Sequence, residues 1–180
     1  MTFSIVATDG IDIGVAVASK FIAVGAIVPH LKVDVGAVAT QCYANPRLAE
    51  QILELMSKGV SVNDAVNRAL EADPDRENRQ LGVVSVKGEV KAFTGSKCMW
   101  YAGHIIGSNY TVQGNILAGP EVLESMAKAF ESKRGELVDK LLEALLAGDR
   151  AGGDRRGKQS AAVVVLRPGG GYLGLSDVYV

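Results

Sequence analysis

Thr2 follows the initiator Met1 and opens a β-patterned run, Thr2-Phe3-Ser4-Ile5-Val6-Ala7. Methionine is normally trimmed ahead of so small a residue, which would leave a hydroxyl and a free α-amine on one residue. That pairs a nucleophile with its own base, because an α-amine of pKa near ~8 accepts a hydroxyl proton at neutral pH. The chemistry such a pair performs is acyl transfer from an amide. A plainer part also fits Thr2, that of a β-branched residue starting an edge strand.

Four amides form a second feature: Gln41, Asn45, Gln113 and Asn115, in or beside otherwise apolar strands. A buried amide without partners is costly, so these should bond to one another, to backbone, or to a bound amide or carboxylate. They are candidate substrate contacts and, equally, a structural brace. The loop 152–160 is the richest polar segment. Gly152-Gly153-Asp154-Arg155-Arg156-Gly157-Lys158 fits the spacing G-x-x-x-x-G-K, but Gln159 stands where a Mg²⁺-binding hydroxyl is needed. The loop also leaves a helix and enters a strand, the reverse of a phosphate loop. It reads better as a turn pairing Asp154 with Arg156, with an arginine fork and Gln159 available to a substrate carboxylate.

Ser125-Met126-Ala127-Lys128 matches S-x-x-K within an ordinary amphipathic helix. His30 and His104 have no metal-ligand spacing to Cys42 or Cys98, so neither metal nor cofactor is expected. Cys42 reads as a small buried hydrophobe.

These residues need elements to hold them. Segments 2–8 and 13–19, separated by Asp9-Gly10, read as a hairpin. Segments 24–28 and 33–40 read as a second pair folded at Pro29-His30-Leu31-Lys32. One helix starts near Pro46 and stops at Gly59, with Leu48, Ala49, Ile52, Leu53 and Met56 on one face. A second is capped by Ser61, with Ala65, Val66, Ala69 and Leu70 apolar, and ends before Pro74. Strands follow at 81–86, 89–93 and 110–117. Then come helices carrying Val122, Leu123, Met126, Ala127 and Phe130, and Leu137, Val138, Leu141, Leu142 and Leu145. Strands at 161–166 and 172–178 finish the pattern. Helix pairs between antiparallel strand groups predict two sheets face to face with a helix pair outside each.

With 180 residues, 48% hydrophobic content and 21 glycines, the chain suits one domain, 1–180, burying roughly 70% of its unfolded surface. A net charge of −1 offers no basic field to nucleic acid or anionic lipid. Lys20, His30, Lys32 and Asp34 interrupt the apolar stretches too often for a membrane span. Two cysteines and no visible signal peptide point to a cytoplasmic protein.

Several stretches together resemble a known family: T-F-S-I-V-A (2–7), G-V-A-V-A-S-K-F (14–21), G-A-V-A-T-Q (36–41), A-N-P (44–46), V-Q-G-N-I-L-A-G-P (112–120) and G-G-D-R-R-G-K-Q-S-A-A (152–162). They resemble the domain-of-unknown-function family numbered 1028, which looks like a branch of the N-terminal-nucleophile hydrolases, the group containing proteasome β subunits. The resemblance implies an α+β, four-layer αββα sandwich with Thr2 at the nucleophile position. It also implies charged residues near the nucleophile, for which Lys20, and secondarily Lys32, are candidates. Backbone N–H groups at 40–42 would hold an oxyanion. Asp154 and Ser160 occupy the stretch where such chains place an Asp and a Ser.

The expectation is an amidohydrolase acting on a small polar substrate, with Thr2, Lys20, Asp154 and Ser160 catalytic. Gln41, Asn45, Gln113, Asn115, Arg156 and Gln159 would contact substrate. A homo-oligomer is expected, since related folds often self-associate. The competing expectation is a non-catalytic module binding a metabolite through the amides and Arg156. A third is an internal nucleophile, Ser19 beside Lys20, although neighbours on a strand point to opposite faces.

Overall fold

The computed structural model describes residues 2–175, 177 and 178. Met1, and with it the expected trimming, lies outside them, as do Ser176, Tyr179 and Val180. Strand β1 (Thr2–Thr8) turns into β2 (Ile13–Ser19). The turn is fixed locally: Asp9 Oδ1 accepts the N–H of Ile11 and of Asp12 at 3.0 and 2.8 Å, an Asx arrangement. It sets the register in which Thr2 faces Ser19.

Five antiparallel strands make the first sheet, in the order β7 (Gly103–Ile106), β8 (Tyr110–Asn115), β1, β2, β9 (Ser160–Leu166). The second sheet has four, in chain order: β3 (Pro29–Lys32), β4 (Gly36–Cys42), β5 (Arg79–Ser85), β6 (Val90–Thr94). Thr2 therefore starts a central strand and not an edge strand.

Helix α1 (Pro46–Ser57) starts as its sequence predicts, with Pro46 in the first turn and the Asn45 side chain accepting from the Leu48 N–H at 3.4 Å. Helix α2 (Val62–Glu71) is capped by Ser61, whose Oγ accepts the Asp64 N–H at 3.1 Å. Helices α3 (Glu121–Ser132) and α4 (Leu137–Arg150) follow β8. Their apolar stripes pack with Phe3, Ile5, Ala16 and Val112 of the first sheet. The stripes of α1 and α2 pack with Val38, Leu81 and Val83 of the second. A third apolar cluster joins the two sheets through Val6, Val15, Val17, Ala37, Ala39 and Val84. The odd–even alternation of each strand divides its residues between these clusters. None of the helices among the described residues is long and apolar enough to cross a membrane.

Four expectations about strands change. Segment 24–28 is a 3₁₀ turn, Val24–Ala26, with Val28 N–H bonded to the Val24 carbonyl at 3.0 Å. One turn of helix buries Val24 and Val28 together, which an apolar run cannot be told from by periodicity alone. The predicted fold-over at 29–32 is instead β3. Segment 172–178 is no strand: a 3₁₀ turn covers Tyr172–Gly174, and Val178 makes an isolated bridge to Leu166. Positive φ at Gly169 and Gly174 breaks the extended path. Strand β7, read as loop from its glycine and histidine, was not expected.

The first sheet admits α4 closely because β2 is small on that face. A Cβ on Gly14 would stand 2.5 Å from Leu141 Cδ1 and 3.1 Å from Val165 Cγ2. Gly14→Ala is expected to lower stability by about 1–3 kcal/mol through overpacking, read as a lower urea midpoint with unchanged slope.

Candidate functional site

Register and alternation bring one end of both sheets together around Thr2. Asn115, Thr2, Ser19 and Ser160 are successive register partners on β8, β1, β2 and β9, a polar row spaced about 4.8 Å from strand to strand. Thr2 is buried, and its Oγ1 lies 3.2 Å from Ser19 Oγ. Sequence reading set Ser19 beside Lys20, whereas its structural neighbour is Thr2. Counting back through the hairpin from Asp9 and Asp12 would have found it.

The amides lie between the sheets. Ser4 Oγ donates to Gln41 Oε1 at 2.7 Å, and Gln113 Nε2 donates to Ser4 Oγ at 2.6 Å. Thr111 Oγ1 donates to Gln113 Oε1 at 2.7 Å. Gln80 Oε1 accepts from Gln41 Nε2 and Asn115 Nδ2, both at 2.9 Å. The Gln80 amide nitrogen donates to Thr94 Oγ1, the Gly103 carbonyl and the Gly114 carbonyl at 3.0, 3.0 and 2.8 Å. Gln41 Nε2 also reaches the Thr2 carbonyl at 3.4 Å. Gln41, Gln113 and Asn115 are thus engaged with protein partners in a buried brace next to Thr2. Ser4, Gln80, Thr94 and Thr111 belong to it and were not singled out from sequence. For Ser4 and Thr111 the signal was parity: Thr2, Ser4, Thr111, Gln113 and Asn115 are the polar members of alternating strands. Gly82 leaves room for the brace, since a Cβ there would stand 2.5 Å from Thr111 Oγ1.

Asn45 is set apart from these amides. It caps α1, and its backbone N–H bonds to Thr40 Oγ1 at 2.9 Å. Asp154 is buried at the start of the 154–157 turn, where its carbonyl accepts the Gly157 N–H at 2.8 Å. Its Oδ2 accepts the Lys20 N–H at 3.1 Å and its Oδ1 the Arg156 N–H at 2.7 Å, with Arg156 Nε 3.7 Å away. Ser160 Oγ donates to the Phe21 carbonyl at 2.6 Å and accepts the Val24 N–H at 3.0 Å. Asp154 and Ser160 therefore anchor the segment leaving β2. The side chains of Lys20, Arg156 and Gln159 are exposed, and the Gln159 N–H bonds to the Ser19 carbonyl at 2.8 Å.

Two sequence expectations fail here. Lys32 is paired with Gly36, five residues along β4 from Gln41 and so about 17 Å from the Thr2 end. The Thr40 N–H, one of the backbone donors considered for an oxyanion, is bonded to the Val28 carbonyl at 3.0 Å.

Of the five described non-glycine residues with positive φ, Asp34 and Leu173 lie elsewhere, while three lie at this end, Ala23, Cys42 and Ile116 at 54°, 68° and 53°. Each lies where the chain has just left, or is leaving, β2, β4 or β8. Such conformations cost about 1–3 kcal/mol each and persist when neighbours dictate them. Ile116 is held from two sides, its N–H by the Met99 carbonyl at 3.0 Å and its carbonyl by the Arg155 N–H at 3.4 Å. Arg79 braces the turn after Cys42 by donating from Nη1 to the Tyr43 carbonyl at 3.0 Å and from Nε to Asp73 Oδ2 at 2.7 Å. That guanidinium holds the Asp73 carboxyl below its ordinary value of 3.8. No cluster of three or more His, Cys, Asp or Glu side chains suited to a metal ion occurs among the described residues.

Comparison with known proteins places this arrangement. Residues 2–179 match the model of a family of unknown function, DUF1028. Protein SPO2555 from Silicibacter pomeroyi, described under the same family, is similar at 34% identity and a TM-score of 0.87, over 93% of this chain and 74% of that one. Eukaryotic HslV from Trypanosoma brucei is similar in fold at 10% identity and a TM-score of 0.57, over 92% and 99% of the two chains. HslV has the N-terminal-nucleophile hydrolase fold. None of the curated proteins matches the chain.

Gln80→Leu is expected to cost about 3 kcal/mol, because it strands the amides of Gln41 and Asn115 among buried groups; urea unfolding measures it. For Asp73, a depressed folded pKa means stabilisation that is complete above the ordinary carboxylate value and lost as pH falls through the folded one. Asp73→Asn should therefore lower the urea midpoint at pH 7, with the gap to wild type closing below pH 3.8.

Proposed function

We propose, from the premise that this chain belongs to the DUF1028 family, that it is an N-terminal-nucleophile amidohydrolase built as one domain, 1–180, on a four-layer αββα sandwich. The observation that carries the reading is the position of Thr2. It is the first residue of a central strand, its hydroxyl is buried against Ser19 Oγ at 3.2 Å, and three of the positive-φ turns lie at its end of the sheets. The three apolar clusters, helix to sheet, sheet to sheet and sheet to helix, support the four layers. The likeness to HslV supports the fold alone.

Removal of Met1 gives Thr2 its α-amine. The amine takes the hydroxyl proton as Oγ1 attacks the carbonyl carbon of the substrate amide, then returns it to the departing nitrogen. An ester to Thr2 remains, and water cleaves it by the same route in reverse. The Ser19 hydroxyl orients Oγ1. Lys20, its backbone tied to Asp154 and its side chain exposed, supplies positive charge that lowers the basicity of the amine. With the Thr40 N–H occupied, the oxyanion donor we assign is the N–H of Cys42, two residues on and so directed to the same side of β4. Asp154 and Ser160 act by positioning the segment after β2.

The substrate is a small polar amide, with Arg156 and Gln159 the side chains offered to its carboxylate. Gln41, Gln113, Asn115 and Asn45 shape the wall from behind, since their hydrogen bonds are made within the protein. That weighs against a metabolite site formed by the amides themselves. We assign no cofactor, nucleic-acid or membrane partner. Exposed Phe21, Ile22, Tyr43, Met99 and Trp100 at this end suit a homo-oligomer. Two unpaired cysteines suit the cytoplasm.

An electrophilic amide mimic is expected to add its mass to the peptide that begins at Thr2, in protein isolated from its own cell. Thr2→Ala should lower hydrolysis of a responsive amide by about 10³-fold or more, while Thr2→Ser keeps measurable activity. Undiminished activity in Thr2→Ala, or Met1 retained in the native protein, overturns the assignment.

A further inference from the structure

Cys42 and Cys98 are far apart in sequence and adjacent in space. Cys42 ends β4 opposite Arg79 of β5. Cys98 reaches the same place from the loop after β6. The Arg79 carbonyl accepts both the Gly95 N–H at 2.9 Å and the Cys98 thiol at 3.5 Å, while the Cys98 N–H bonds to the Gly95 carbonyl at 3.0 Å. A tight turn over 95–98 thus folds the thiol back across Arg79 toward Cys42. Glu77 pins that turn by accepting the Ser96 N–H and hydroxyl at 3.0 and 2.8 Å. Both cysteines are free and half-buried. Cys98 also lines an open cleft of about 610 Å³ with Ser96, Trp100, Tyr101 and His104, which brings a small reagent to Cys98 beside the half-buried Cys42.

We propose that Cys42 and Cys98 form a hydroperoxide-reactive dithiol site, with Cys42 the attacking and Cys98 the resolving sulfur. The asymmetry of the pair assigns the roles. The single Cys98 S–H, shared between the Arg79 carbonyl and the Cys42 side chain, brings Cys42 down to about 7, and the same interaction pushes Cys98 up from its ordinary value. The Arg79 guanidinium faces Cys42 as positive charge, itself paired with Asp73 and Asp75.

The Cys42 thiolate attacks one peroxide oxygen and the O–O bond breaks. Cys42 becomes a sulfenic acid, and the departing alkoxide or hydroxide takes a proton from water. Cys98 then attacks the Cys42 sulfur. The S–S bond forms, the S–O bond breaks, and hydroxide leaves with the Cys98 proton as water. Two thiols lose two electrons and one hydroperoxide gains them. Although the backbone N–H of Cys42 is the oxyanion donor assigned above, this chemistry uses the Cys42 side chain and needs no catalytic Thr2. Its product nevertheless ties the end of β4 to the loop whose Met99 and Tyr101 carbonyls hold the N–H groups of Ile116 and Leu117 at 3.0 Å each, next to Asn115.

The test treats reduced full-length protein with one equivalent of hydrogen peroxide at pH 7, followed by intact mass and a non-reducing peptide map. The expected result is loss of two hydrogens with the Cys42 and Cys98 peptides joined within one chain. In Cys98→Ala, a sulfenic acid should accumulate on Cys42 and be trapped by dimedone. In Cys42→Ala, Cys98 should stay unmodified. Iodoacetamide should alkylate Cys42 at pH 7 roughly five-fold faster in wild type than in Cys98→Ala, the gain in thiolate being partly offset by its weaker nucleophilicity. Two thiols still titratable after peroxide, bridges only between chains, or Cys98 oxidised first in Cys42→Ala would each overturn the proposal.

Discussion

The interior between the two sheets is polar at one end, and the hydrogen bonds that make this tolerable constrain everything around Thr2. Amides and hydroxyls removed from water cost free energy unless each finds a partner. Here Thr111, Gln113, Ser4, Gln41, Gln80 and Asn115 satisfy one another across both sheets. A one-residue slip of any contributing strand would turn its polar residue onto the helix side and bring an apolar one into the brace. The brace therefore fixes how the sheets meet, in a way that apolar contact alone does not. It also places the Thr2 carbonyl against Gln41.

Along the strands the interior changes character. Val6, Ile13, Val15, Val17, Ala37, Ala39 and Val84 join the sheets at the apolar end, where burial is non-directional and stabilises broadly. At the other end directional bonds replace it, and the turns off β2, β4 and β8 carry positive φ at Ala23, Cys42 and Ile116. The same conformation also occurs away from that end, at Asp34 between β3 and β4. Rigid sheets with strained loops at their tips are a common setting for chemistry.

Much of the architecture was legible because the first helix pair declared itself at both ends. Pro46 after Asn45, Ser61 before Asp64, Gly59 and Pro74 bracket clear apolar stripes, whereas Gly148, which reads as a stop, lies inside α4. The Asp9-Gly10 turn likewise fixed the first hairpin. The misses lie where pattern and backbone part company. The apolar residues of 24–28 are buried by a single turn of helix, and β7 is a short edge strand that looks like loop. Thr2, Ser160 and the amides could be named as polar residues in apolar surroundings. Whether an amide faced a ligand or another amide depended on Gln80 and Gly82, which no local signal marks. Ser19 was legible in principle, because hairpin arithmetic pairs it with Thr2.

Charge at the Thr2 end follows from what Asp154 does with its two oxygens. Both accept backbone N–H groups, from Lys20 and from Arg156, and the Arg156 guanidinium stands only 3.7 Å from one of them. The carboxylate is thereby stabilised by dipoles and one arginine, without drawing on the Lys20 ammonium. Among the described residues Lys20 enters no ion pair either. A lysine whose backbone is held by a buried carboxylate one residue past Ser19, and whose side chain remains exposed, keeps its charge available. Had Asp154 paired with that ammonium directly, the two would cancel within a few ångströms, and the field at Thr2 would fall toward zero. Anchoring the main chain of Lys20 while sparing its charge fits the role proposed for it next to Thr2.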